Sequence, residues 1–195
     1  RKYTVHCLWP WSFKLAVSSY ICVDRKVLDM QKHAVLKSDE EKLQALEQLR
    51  GLAPEELAPR VQHLLQCLAK GNSQNVKLEA LKVLAMLIPE VLAPHVGGIL
   101  QCLGHHNGEN VKLQTLKVWG MLTPEELAPH VKSLLQCVRY VNSRNVKLQT
   151  LKVLAMLIPE VLAPHVGGIL WDWKFYDDDV KLEAFSILGR LTSEV

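Results

Sequence analysis

The chain has 195 residues, 49% apolar and 22% charged, with a formal net charge of +3. This is near the globular norm and enough for a continuous core, and a charge of +3 is too small to demand a polyanionic partner. No run of about 18 uninterrupted apolar residues occurs, so no membrane span is expected.

Residues 1–38 read as a divergent N-terminal repeat or cap, with short helices at about 12–23 and 26–37. Trp9 and Trp11 flank Pro10 and are placed to cover an open end. The opening RKYTVHCLWPWSFKLAVSSYICV imitates a signal peptide only loosely. Pro10 and Lys14 interrupt its apolar run and no small-residue cleavage pattern follows, so no signal is expected. The start at Arg1 rather than Met suits a fragment or a processed chain.

From Lys42 the register is regular. The stretch from Asn75, NVKLEALKVLAMLIPEVLAPHVGGIL, returns at Asn110 and again at Asn145, and a partial copy begins at Asp179. The steps are 35, 35 and 34 residues. A fixed period of this size marks a stacked repeat array. No unit has a core of its own, so residues 39–195 form one continuous array. The expectation is an all-α fold of about five two-helix repeats.

One helix of each unit is announced by a proline, at Pro54, Pro89, Pro124 and Pro159. Thr123-Pro124-Glu125-Glu126 is a capping box with proline at the first helical position. A second proline follows at Pro59, Pro94, Pro129 and Pro164. It removes a backbone bond and clashes with the preceding turn, so this helix is kinked or its first turn is separate. Gly97-Gly98 and Gly167-Gly168 weaken two of these helices further. The other helix carries apolar residues at three- and four-residue spacing, as in Val111, Leu113, Leu116, Val118, Trp119 and Leu122. Asn75, Asn110, Asn145 and Asp179 stand where its N-cap is expected.

A helix with an internal proline, a polar loop, then Asn/Asp-Val-Lys opening a second amphipathic helix resembles the HEAT repeat, with armadillo repeats as close relatives. The resemblance covers about residues 40–195. It implies a right-handed α-solenoid with second helices on the concave side and a capping repeat at the C-terminus. HEAT units carry an Asp in the interhelix loop and a basic residue early in the second helix. Asn72, Asn107 and Asn142 stand near the Asp position, and Lys77, Lys112, Lys147 and Lys181 at the basic one. Asn in place of Asp departs from the charged ladder. Residues 75–103 and 145–173 differ only at Glu79/Gln149, Ala80/Thr150 and Gln101-Cys102-Leu103 against Trp171-Asp172-Trp173. Such near-identity points to recent duplication or to a designed consensus array.

No catalytic constellation, metal site or cofactor motif is found. His95, His130 and His165 each precede Cys102, Cys137 or Asp172 by seven residues, about 10.5 Å along a helix, too far to share a metal. His105 and His106, with Glu109, read as a solvated loop before they read as metal ligands. Cys67, Cys102 and Cys137 hold one repeat position. A repeat step of about 10 Å exceeds the reach of a disulfide, which fits a reducing, intracellular setting, cytoplasmic or nuclear.

The binding candidates are surface residues. Lys82 and Met86, Lys117 and Met121, Lys152 and Met156, and Arg190 form one row on the second helices. Lys and Met rows suit an acidic or amphipathic helical partner. The interhelix segments vary most between copies and contribute His105, His106, Arg139, Tyr140, Trp171, Trp173, Phe175 and Tyr176. The expected function is a non-enzymatic protein-binding or scaffold solenoid with a protein or peptide partner, and self-association through the aromatic end is a further route. The alternative is nucleic-acid binding along the repeated Lys ladder. An enzyme of the HEAT-like DNA glycosylase type has no acid–aromatic pocket assignable in this sequence.

Overall fold

The computed structural model describes residues 38–141, 143–170, 174 and 176–192. The chain divides into two units, Arg1–Ser38 and Asp39–Val195. The helices expected at 12–23 and 26–37, with Trp9 and Trp11, lie outside the described residues. Within the second unit all regular structure among the described residues is helical.

In order, α1 is Asp39–Leu49, α2 Pro54–Leu57, α3 Val61–Cys67, α4 Gln74–Leu84, α5 Pro89–Leu92, α6 Val96–Leu100 and α7 Glu109–Trp119. Then follow α8 Pro124–Leu127, α9 Val131–Tyr140, α10 Arg144–Leu154, α11 Pro159–Leu162, α12 Val166–Leu170 and α13 Asp178–Thr192. The long helices pack in sequence, α1 on α4, α4 on α7, α7 on α10 and α10 on α13. The segment before each long helix leans on it, as α3 does on α4 and α9 on α10.

The long helices follow from their apolar spacing. In α4, Val76, Ala80, Leu81, Val83 and Leu84 are buried, and the equivalents in α7 and α10 repeat the pattern. Thr115 and Thr150 take the place of Ala80 in that core. Their hydroxyls donate to the Val111 and Val146 carbonyls at 2.7 and 2.6 Å, so each polar group is satisfied inside its own helix.

The N-caps differ from the sequence expectation. The helices begin one residue before Asn75, Asn110 and Asn145, which therefore sit in the first turn. Ser73 and Ser143 are the caps, their hydroxyls accepting from the Val76 and Val146 amides at 3.4 and 3.3 Å. Gly108 holds the same place in α7 and has no side chain to offer. Its own N–H donates to Gln74 Oε1 from the preceding copy at 2.9 Å. Asp179 likewise lies within α13, where it pairs with Arg144 at 2.8 Å.

The proline-led helix is broken rather than bent. A four-residue helix (α2, α5, α8, α11) runs into a three-residue 3-10 segment containing the second proline, and a new helix then starts. The residue ending the 3-10 segment sits near φ −100, ψ 2 at Arg60, φ −111, ψ 1 at His95 and φ −104, ψ 3 at His130. This bridge conformation turns the chain without a glycine. The capping box at Thr123 is formed. Its hydroxyl accepts from the Glu126 amide at 3.3 Å, and its amide donates to Glu126 Oε2 at 2.8 Å. Ala53 keeps only the second half, its amide donating to Glu56 Oε2 at 3.2 Å.

Neighbouring copies are also joined by a polar fork. Asn107 Oδ1 accepts from Lys77 Nζ at 2.9 Å, while its Nδ2 donates to the Cys102 and Gln101 carbonyls at 3.1 and 3.3 Å. Asn72 repeats this, accepting from Lys42 Nζ at 2.7 Å and donating to the Gln66 carbonyl at 2.9 Å. The amide is the right group because the site needs an acceptor and donors at once; a carboxylate would face carbonyl oxygens. Asn142 lies outside the described residues.

Two stability tests follow. Asn107→Ala leaves Lys77, 1% exposed, without its partner and is expected to cost about 2 kcal/mol. Asn107→Asp is expected to destabilise as well, despite placing a charge opposite Lys77, and urea denaturation midpoints check both. A Cβ on Gly97 or Gly167 meets nothing within 4 Å, whereas one on Gly168 lies 3.2 Å from Leu135 Cδ1. Gly97→Ala and Gly167→Ala should each add about 0.5–1 kcal/mol, and Gly168→Ala distinctly less.

Candidate functional site

The row on the long helices is reproduced from copy to copy, but its members differ in exposure. Lys117 and Lys152 are exposed, and Met121 and Met156 are each 37% exposed. Lys82 and Met86 are half-buried, and Lys82 is held by Glu79 at 2.6 Å. Arg190 is exposed and donates to the Ala155 carbonyl of the preceding copy.

Two members of this surface were not singled out from the sequence. Ile88 and Ile158 are 51% and 47% exposed, and each stands two residues after a row methionine. They occupy the cap position filled by Thr123 in the intervening copy. That departure was the available signal: an isoleucine cannot cap, and nothing in the turn buries it. Met121, Met156, Ile88 and Ile158 thus put apolar groups at the same turn of successive copies, beside Lys117 and Lys152.

The interhelix segments are more mixed. His105 and His106 are exposed, their rings edge-on with centroids 5.8 Å apart. Partial desolvation, then the cations Lys77, Lys70, His105 and Lys112, hold the His106 pKa below its ordinary value. Arg139 lies over the Tyr140 ring, 5.2 Å from its centroid, and Tyr140 is 69% exposed. Trp171, Trp173 and Phe175 lie outside the described residues. Tyr176 is not a surface anchor. It is 4% exposed, its hydroxyl donates to the Ile169 carbonyl at 3.3 Å, and Lys147 Nζ lies over its ring. Its ring continues the core and its one polar atom is already satisfied.

A groove of about 650 Å³ opens where the 100–112 segment meets α9. Leu100, Leu103, Cys137 and Val141 give it apolar walls, with Lys112, Gln136 and Tyr140 among its polar lining. Lys112 is 8% exposed, and among the described residues its ammonium makes no hydrogen bond or ion pair. Glu109, three residues earlier, instead accepts from Asn145 Nδ2 at 2.9 Å, a contact that holds its carboxyl below the usual range.

The repeated cysteines are free, Cys102 and Cys137 buried and Cys67 half-buried. Burial pushes the Cys102 thiol up to about 11 against the lowering effects of Lys77 and Thr115. It raises Cys67 and Cys137 too, opposed by Lys42 at Cys67, and by Thr150 and Lys112 at Cys137. Among the described residues no three His, Cys, Asp or Glu side chains are gathered to hold a metal, and no helix is long and apolar enough to cross a membrane. Compared with protein-family models, curated proteins and solved structures, the chain matches none of them.

The buried thiols give a direct test. With a pKa of about 11, only about one Cys102 in a thousand is thiolate at pH 8. Iodoacetamide at that pH should label Cys67 well before Cys102 and Cys137, read by peptide mass spectrometry. Denaturant should abolish the difference.

Proposed function

We propose that this chain is a non-enzymatic, protein-binding or scaffold module, built as an α-solenoid of about five HEAT- or armadillo-like repeats. The repeat period and the packing of each long helix on the next support the solenoid reading. One observation carries the binding reading. Lys117, Met121, Lys152 and Met156 are exposed in register on successive helices, with Ile88 and Ile158 at the adjoining turns. Such a row matches an amphipathic helix whose apolar positions recur every turn and whose flank is acidic. Methionine adapts to varied apolar shapes, which suits a scaffold better than a single rigid ligand.

The chemistry of the lysines weighs against nucleic acid. Lys77 and Lys112 are 1% and 8% exposed and so are withdrawn from phosphates, and Lys82 is paired with Glu79. Only Lys117 and Lys152 of the row remain as exposed lysines, too few for strong backbone neutralisation.

A pull-down from mixed protein and nucleic-acid pools tests this. A protein partner retained at about 50 and about 300 mM salt, and lost on Met121→Glu plus Met156→Glu, is the expected result. Nucleic acid captured at low salt and released steeply, with a slope of about −0.9 per phosphate contacted, would overturn it.

A further inference from the structure

Asn107 and Gly108 form the one Asn-Gly pair in the sequence. In such a pair the glycine nitrogen can attack the asparagine Cγ, because no Cβ stands in the way. The nitrogen gives its proton to hydroxide and bonds to Cγ. The Cγ–Nδ2 bond breaks, and Nδ2 takes a proton from water and leaves as ammonia. Water then opens the resulting five-membered imide at either carbonyl, giving aspartate or isoaspartate. The balance is one water consumed and one ammonia released.

Both reacting groups are held in the folded chain. Asn107 is 4% exposed. Its Oδ1 accepts from Lys77 Nζ at 2.9 Å, and its Nδ2 donates to the Cys102 and Gln101 carbonyls at 3.1 and 3.3 Å and lies 3.3 Å from His106 Nε2. Its Cγ cannot turn toward the following peptide without breaking the fork. Gln74, from the preceding copy, holds the other group. Its Oε1 accepts from the Gly108 N–H at 2.9 Å, and its Nε2 donates to Asn107 Oδ1 at 3.4 Å. One side chain thus spans nucleophile and electrophile. Gln74 and Gly108 are both exposed, so water and hydroxide reach this peptide as soon as the clamp lets go.

The fold does not ask for glycine at this place. Gly108 has φ −67 and ψ 165, open to any residue. An added Cβ would meet only Gln74 Oε1, at an ordinary 3.6 Å. Ser73 and Ser143 hold the equivalent position and cap their helices. Asn72 makes the same fork as Asn107, but the Cβ of Ser73 hinders ring closure there. The Gly108 copy has given up a cap and gained a labile peptide.

We propose that Asn107-Gly108 is a site of spontaneous deamidation, latched by Gln74 and the Lys77 fork, at which opening of the α4–α7 junction is recorded as a covalent change. Deamidation puts an oxygen in place of the Nδ2 donor, facing the Gln101 and Cys102 carbonyls. Isoaspartate also lengthens the backbone at the entry to α7. Neither product re-forms the fork, so a junction that has reacted stays loose. The inference concerns stacking and is independent of the protein-binding reading.

The intact chain is incubated at mildly alkaline pH, folded and in guanidinium chloride, and its peptides are followed by mass spectrometry for the mass gain of deamidation. In the unfolded chain Asn107 is expected to react fastest of the asparagines. Folding should slow it at least about tenfold, because reaction then waits for local opening. Gln74→Ala, at an exposed rim position, should raise the folded rate at Asn107 several-fold and leave Asn72 unchanged, since the Asn72 fork does not use Gln74. Gly108→Ser should suppress the reaction in folded and unfolded chains alike. Deamidated protein, separated by ion exchange, should unfold at lower denaturant than the parent. Equal rates in folded and unfolded chains, no acceleration by Gln74→Ala, equal acceleration at Asn72, an undiminished rate in Gly108→Ser, or an unchanged midpoint after deamidation would each overturn the proposal.

Discussion

Each copy exposes on its long helix a strip of leucine that only the next copy can bury. Leu81, Leu116 and Leu151 occupy one register position and are each 0% exposed. Phe185 occupies that position in α13 and is 55% exposed. Leu182, one turn away, is 68% exposed, while its equivalents Leu78, Leu113 and Leu148 are half-buried. Among the described residues no helix follows α13. Burying a leucine is worth about 1.5–3 kcal/mol, and two or more such residues per junction make stacking the main source of stability. Everything else in the unit serves to deliver the next copy at the right distance and height.

Height is set by polar contacts, because apolar strips alone permit sliding. The Lys–Asn fork fixes it from inside, where a buried ammonium tolerates no slippage away from its acceptor. A second series fixes it at the rim of the long helices. Gln74 reaches Gly108, Glu109 reaches Asn145, and Arg144 reaches Asp179. The three pairs use different chemistry at the same place, an amide to a backbone N–H, a carboxylate to an amide, and a guanidinium to a carboxylate. Identical copies joined by interchangeable contacts would stack in any order. These contacts are solvent-exposed, so they distinguish one junction from the next while adding little to stability.

Period, helix content and the break at the second proline were legible in the sequence because they depend on residues within one copy. So was the capping box, whose two partners lie three residues apart. The true caps were missed because Asn is a strong capping residue at every copy, whereas the serines that do the work are interrupted by Gly108. Tyr176 was misplaced for a different reason. An aromatic in a variable segment looks like a surface anchor until its hydroxyl is seen to end on the Ile169 carbonyl. The groove was not legible at all. It lies between Leu100 and Leu103 on one side and Ser133, Gln136 and Tyr140 on the other, and spacing along one chain does not record the space between two helices.

The alternation of Gly97-Gly98 and Gly167-Gly168 with Lys132-Ser133 between them has a consequence for the repeating unit itself. Gly98 lies against Leu65 and Gly168 against Leu135; a cavity of about 650 Å³ opens beside Ser133 and one of about 250 Å³ beside Gly168. By sequence the unit that recurs is therefore a pair of copies, 70 residues from Asn75 to Asn145. The leucine recurs in every copy, at Leu65, Leu100, Leu135 and Leu170, and only the residue that faces it changes, from Gly98 to Ser133 to Gly168. Duplicating the pair carries both facing residues forward in order, whereas duplicating one copy places two alike side by side.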